Sequence, residues 1–147
     1  MTNPDAVRHM LRLLTWTAAS THANGEKAAV AATGHGLTRW QLLDLMSGPG
    51  TTVPAAAREL RQSRQATQRL TDALEQAGLV ERAPNPGHRT SPIFRTTARA
   101  TETLKDLDNS VSGWIDHLCS RMTAEEVDHF IHLLGRVREI ADEYRVD

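Results

Sequence analysis

Residues 63–91 read SRQATQRLTDALEQAGLVERAPNPGHRTS, and the stretch changes character halfway. Ser63 is a strong N-cap residue. After it the spacing predicts a helix over 64–77, with Ala66, Leu70, Ala73, Leu74 and Ala77 on its buried side. Gly78 supplies the left-handed stop. At about 100° per residue, Arg64, Gln65, Gln68 and Asp72 turn away from the apolar side, and Arg69 falls on the flank, suited to a phosphate. Beyond the glycine, "LVERA" (79–83) and "IFRT" (93–96) read as a two-stranded hairpin around the loop "PNPGHRTSP" (84–92). Pro92 suits the start of an edge strand, where a missing N–H is tolerated.

Working back from Ser63, "TTVPAAARELRQ" (51–62) reads as a short helix capped by Thr52, with Pro54 in its first turn and Val53, Ala56, Ala57 and Leu60 on one face. "LTRWQLLDLM" (37–46) reads as another, with Thr38 and Gln41 as a capping box, Leu37 and Leu42 as a hydrophobic staple, and Gly48-Pro49-Gly50 as its end. Residues 5–33 carry small or apolar side chains at Val7, Leu11, Leu14, Ala18, Gly25, Ala29 and Ala32. That is one long helix with a weak point at Asn24-Gly25, where glycine costs roughly 1 kcal/mol relative to alanine. From Thr97 a helix carries Leu104, Leu107, Val111, Trp114, Ile115 and Leu118. The last, capped by Thr123 and Glu126, carries Val127, Phe130, Ile131, Leu134, Val137 and Ala141.

The expected fold is therefore mainly α with a small β-hairpin: a winged helix-turn-helix over 37–97, flanked by long N- and C-terminal helices over 1–36 and 98–147 that form a dimerisation region. All of it is read as a single interleaved domain. The terminal stripes have little core to cover within 147 residues, so a second copy of the chain is the expected partner.

Net charge is −1, but it is unevenly spread. Residues 1–57 hold 4 basic and 3 acidic side chains, residues 58–99 hold 8 and 4, and residues 100–147 hold 5 and 11. The basic excess coincides with the helix-turn-helix and hairpin, and a local patch governs where a polyanion docks. The second helix of such a unit enters the major groove. Arginine there pairs with guanine and glutamine with adenine. Ser63, Arg64, Gln65, Gln68 and Arg69 are the expected DNA-binding residues of that helix, and Arg89 at the hairpin tip suits the minor groove. Asp72 and Glu75 would oppose phosphate, but they lie where the helix leaves the groove. The partner this implies is double-stranded DNA.

In this order and spacing the chain resembles the multiple-antibiotic-resistance regulator (MarR) family of transcription factors. The residues that carry the resemblance are Leu37, Thr38 and Gln41, then Leu74, the run Gly78–Arg82 and Arg89. It extends over roughly residues 5–145. It implies a homodimer on a palindromic operator, and repression relieved by a small molecule bound between the dimer core and the winged helices. Trp16 and Trp40 lie in regions that wall that cavity in relatives, and their rings suit a small aromatic ligand. Two positions depart from the family pattern. His88 stands where an acidic residue commonly braces the wing arginine, and Thr96 where a leucine is usual. These departures motivate the alternative of a dimeric ligand-binding or protein-interaction module with the same fold and weak DNA binding. Protonated His88 would also repel Arg89 while adding charge toward phosphate.

Other chemistry is thin. The one cysteine, Cys119, is expected to be a buried structural thiol, and a lone cysteine suits a reducing cytosol. His129 and His132 are three apart but off the apolar stripe, so a solvated face is expected rather than a metal site. No nucleotide loop, serine elbow or paired carboxylates recommends an enzyme, and no cofactor is implied. No apolar run is long enough for a membrane span and no secretion signal is evident, so the expected location is the cytoplasm.

Overall fold

The computed structural model describes residues 3–87 and 91–144. The elements run α1 (Pro4–Thr33), α2 (Leu37–Leu45), α3 (Val53–Glu59), α4 (Arg64–Gln76), β1 (Val80–Ala83), β2 (Ile93–Thr96), α5 (Ala98–Cys119) and α6 (Ala124–Glu143). They form two compact units, residues 1–111 and residues 112–147. No described helix is long and apolar enough to cross a membrane.

In the first unit, α1 is unbroken across Asn24-Gly25. Gly25 is a packing residue, since a Cβ there would come within 3.0 Å of a Leu37 methyl group. The missing side chain lets α2 close on α1. The start of α2 also differs from expectation. Its N-cap is Gly36, with no side-chain cap from α2 itself. Glu26 of α1 takes the job, accepting the Leu37 N–H at 2.6 Å. Leu37 is thus the first helical residue and lies against α1, so Thr38 does not cap.

Thr52 and Ser63 cap α3 and α4 as expected, accepting from the Ala55 and Ala66 N–H groups. Both helices end in the same way. Leu79 N–H reaches Leu74 O and Gly78 N–H reaches Glu75 O, while Gln62 N–H reaches Ala57 O and Arg61 N–H reaches Arg58 O. These are paired Schellman bonds, which put the residue after the cap in the left-handed region. Gly78 occupies it freely at φ 68°. Arg61 adopts φ 50° in the turn between α3 and α4, a conformation that costs an L-residue roughly 1–2 kcal/mol.

The hairpin pairs Val80 with Thr96, Glu81 with Arg95, Arg82 with Phe94 and Ala83 with Ile93. Thr51 adds a further rung that the sequence does not announce, exchanging two backbone bonds with Phe94 at 3.1 and 2.8 Å. Gly50 permits it. At φ 78°, a Cβ there would lie 2.5 Å from Phe94 O and collide with the Arg95 stem. The rung ties the hairpin to the segment between α2 and α3. The core lies between these elements: Trp40, Leu42, Leu43, Met46, Val53, Leu74, Leu79, Val80 and Phe94, closed by Ala29 of α1 and Ala100 of α5.

In the second unit, α6 carries the expected capping box. Thr123 accepts from the Glu126 N–H, and Glu126 accepts from the Thr123 N–H at 2.8 Å. That backbone bond holds the Glu126 carboxyl below its usual range. No residue of α6 is buried within the chain, and Ile131 and Ile140 are among its exposed apolar side chains. Cys119 is exposed within the single chain, contrary to the buried thiol expected.

Among the described residues Glu26 is the only side chain that caps α2, and losing such a cap costs about 1 kcal/mol. Glu26→Ala is therefore expected to lower the unfolding free energy by that amount, seen as a lower urea midpoint with an unchanged slope. An unchanged midpoint would remove the capping role.

Candidate nucleic-acid interface

The exposed face of α4 depends on which face is buried. Thr67, Thr71 and Leu74 are each 0 % exposed, Leu70 and Ala77 are partly buried, and Ala73 is exposed. The seated stripe is therefore rotated from the one expected. Ala66 stays partly buried, Ala73 leaves the stripe, and the two threonines join it. They can do so because their hydroxyls are satisfied inside the helix: Thr67 donates to Ser63 O at 3.1 Å and Thr71 to Thr67 O at 2.9 Å. A buried hydroxyl without a partner would cost roughly 1–3 kcal/mol. Counting threonine as polar concealed this face.

The rotation changes the roles of the basic side chains. Ser63, Arg64, Gln65 and Arg69 are exposed, and Gln68 and Asp72 are half-buried. Arg69 now points more squarely outward than expected. Arg64 lies toward one flank, next to an open recess of about 460 Å³ that it lines with Pro54, Ala57, Arg58, Arg61 and Gln62. Three arginines thus border the turn between α3 and α4. Arg58 and Arg61 were not singled out in the sequence, although their spacing with Arg64 was visible there.

Both carboxylates of α4 are engaged within the protein. Glu75 accepts two bonds from Arg82, at 2.9 and 3.0 Å. The carboxylate raises the Arg82 pKa. The same guanidinium lies 5.5 Å from the centre of the Phe94 ring, a cation–π arrangement that spans α4 and the hairpin. Asp72 accepts from Gln68 Nε2 at 2.7 Å.

At the base of the wing, Asn85 donates from Nδ2 to Ser91 O at 2.8 Å and accepts from the Gly87 N–H. Asn85 thus links the two sides of the loop, a role not read in the sequence. Arg89 and His88 lie outside the described residues.

The two tryptophans part company. Trp40 is 2 % exposed, and its indole N–H donates to Thr33 Oγ1 at 3.1 Å. It borders a recess of about 350 Å³ together with Thr33, His35, Arg39, Arg99 and Asp106. Trp16 is 65 % exposed and does not line that recess. Burial lowers the Arg39 pKa, and its Nε is buried without a hydrogen-bond partner among the described residues. His129 and His132 are both exposed, and no group of three or more metal-ligating side chains lies together among the described residues.

A family model described as "MarR family" matches residues 35–89, from the start of α2 into the wing. The uncharacterized protein Rv2011c of Mycobacterium tuberculosis is 44% identical over 122 residues, covering 78% of this chain and 85% of that protein. Among solved structures, the transcriptional regulator BldR of Sulfolobus solfataricus has a TM-score of 0.76 at 15% identity, over 98% of this chain and 100% of that one. FabT of Streptococcus pneumoniae, solved in complex with DNA, has a TM-score of 0.70 at 13% identity, over 95% and 99% of the two chains. CouR of Rhodococcus jostii, solved with p-coumaroyl-CoA, has a TM-score of 0.70 at 20% identity, over 92% and 93%. At these identities the structural likeness speaks for the fold. The family model falls on the helix-turn-helix and wing just described, and the chain therefore belongs to the MarR family of winged-helix transcription regulators.

Proposed function

We propose that this chain is a homodimeric, sequence-specific DNA-binding repressor released by a small anionic ligand. The observation that carries the reading is the outward face of α4. Arg64, Gln65 and Arg69 are exposed just beyond a Ser63-capped N-terminus, while the opposite face is seated on the core. Arginine and glutamine are the side chains that read guanine and adenine edges, and the positive end of the helix favours phosphate. Two copies would set their α4 helices in successive major grooves about 34 Å apart, on a palindromic operator. Arg89 would enter the minor groove beside each. In this division of labour residues 37–97 contact DNA, and the helices of 1–36 and 98–147 hold the dimer together. FabT, the neighbour solved with DNA, supports the reading by its fold.

The dimer rests on unpartnered apolar surface. Val7, Met10, Leu11, Leu13 and Trp16 are exposed on α1, and Val127, Phe130, Ile131 and Ile140 on α6. Exposure on this scale marks an association surface. The ligand reading rests on the recess beside Trp40. Arg39 and Arg99 offer an anion two guanidinium groups next to an indole, and a buried Nε without a partner is costly until something accepts from it. Asp106 at the same recess would steer the acid group toward the arginines. CouR, solved with an aromatic acyl-CoA, is consistent with an anionic aromatic ligand class.

Gel shift of the wild-type protein on its own upstream region distinguishes this reading from a weakly binding interaction module, which would retain no operator complex. Affinity for the operator is expected to fall steeply with salt. Arg64→Ala is expected to cost roughly 1–3 kcal/mol and relax one base position. Arg89→Ala should weaken binding to all sequences more evenly. A uniform loss from Arg64→Ala would overturn its base-reading role. Ile131→Glu is expected to convert the dimer to monomer in sedimentation, and an unchanged mass would move the interface off α6. Aromatic carboxylates are expected to quench Trp40 fluorescence saturably and release operator DNA. Arg39→Ala should raise the half-saturating concentration about tenfold, by the loss of one charge-assisted pair. Equal affinity in the variant would exclude Arg39 from the site.

A further inference from the structure

We propose that Asp72 is a positioning residue that fixes the amide of Gln68 in one orientation, so that α4 accepts an amino-bearing base edge and rejects guanine. The inference rests on the DNA-binding reading above and adds a specificity determinant to it. A glutamine amide is two-faced, with an acceptor oxygen on one side and two donor hydrogens on the other. Left alone it presents either side to a base. A carboxylate is acceptor-only, so a partner 2.7 Å from Asp72 Oδ1 has to be the nitrogen of Gln68. The bond therefore settles the rotamer that a solitary glutamine would leave open.

What Gln68 then offers follows from atom counting. One of the two Nε2 hydrogens is taken by Asp72, leaving one donor and the whole of Oε1. Adenine presents N7 as acceptor and N6–H₂ as donor in the major groove, which matches one donor and one acceptor. Guanine presents two acceptors, N7 and O6, so the remaining Nε2 hydrogen serves one of them and the other faces Oε1 with like polarity. Both side chains are half-buried and one helical turn apart, so the pair is sheltered enough to hold its geometry. Asp72 is not drawn off by a cation in competition with Gln68, because the nearby Arg82 is bound in bidentate fashion to Glu75.

The test is selection from random duplexes by three full-length proteins: wild type, Asp72→Asn and Gln68→Ala. Asparagine keeps the shape of aspartate but can either accept or donate, which frees Gln68 to flip. Wild type is expected to select adenine over guanine at one position of each half-site. Asp72→Asn should reduce that ratio about tenfold at that position alone, the scale of one bidentate base pairing, with all other positions and the melting temperature nearly unchanged. Gln68→Ala should erase the preference at the same position. A merely helix-stabilising Gln68–Asp72 pair would instead shift the melting temperature and leave base preference untouched. If wild type selects a site and Asp72→Asn selects the same one equally well, the positioning role is overturned while the DNA-binding reading stands. If wild type selects nothing, both fall together.

Discussion

The rotation of α4 about its own axis governs what this protein can present to a partner. Three side chains set it: Thr67, Thr71 and Leu74, all wholly buried. A shift of one residue along the helix would turn the exposed face by about 100° and carry Arg69 toward the core. The threonines hold the setting twice over. Their methyl groups join the apolar contact, and their hydroxyls are consumed by carbonyls one turn back, at Ser63 and Thr67. Ser63 contributes at both ends, with its side chain capping Ala66 and its carbonyl receiving Thr67. The cap that starts the helix thus also anchors its buried face.

Most of the fold was legible because its signals are local. Thr52, Ser63 and the Thr123–Glu126 box mark helix starts by chemistry confined to four residues, and Gly78 marks a stop in the same way. What could not be read depends on distant partners. Gly25 looks like a weak point until Leu37 is known to lie against it. Thr38 looks like a cap until Glu26, eleven residues before Leu37, is seen to take the first N–H. Gly50 and Thr51 look like loop until Phe94 pairs with Thr51 across the unit, close against Gly50. Arg61 gives no sign of its left-handed conformation, because the usual marker for that position is glycine. In the candidate site, Ser63, Arg64, Gln65 and Arg69 are all exposed. The contributions of Asn85, Arg58 and Asp72 rest on loop closure, a shared recess and a single hydrogen bond, and the spacings visible in the sequence do not by themselves say which of these forms.

Two recesses of the first unit are lined by different arginines. Arg58, Arg61 and Arg64 surround the open turn at the start of α4. Arg39 and Arg99 surround the recess beside Trp40, on the side of α2 that meets the end of α1. Thr33 and His35 tie that recess to the core, since both accept from the Trp40 indole N–H. A ligand seated there would press on the residues that set the angle between α1 and α2, the same junction that Glu26 and Gly25 hold closed.

The formal charge of α4 conceals its electrostatic character. Arg64 and Arg69 are balanced on paper by Asp72 and Glu75, so the helix counts as neutral. The structure breaks that balance by location. Glu75 is neutralised by Arg82, which itself is held over Phe94, and Asp72 is occupied by Gln68. Both acids lie past the middle of the helix, while both arginines lie in its first half, where the macrodipole adds to their positive potential. An anion approaching the N-terminal half meets Arg64, Arg69 and the unsatisfied N–H groups of the first turn before it meets either carboxylate. A net charge of −1 leaves room for a local basic excess, because the excess acid lies in residues 100–147 and both acids of α4 lie past its middle.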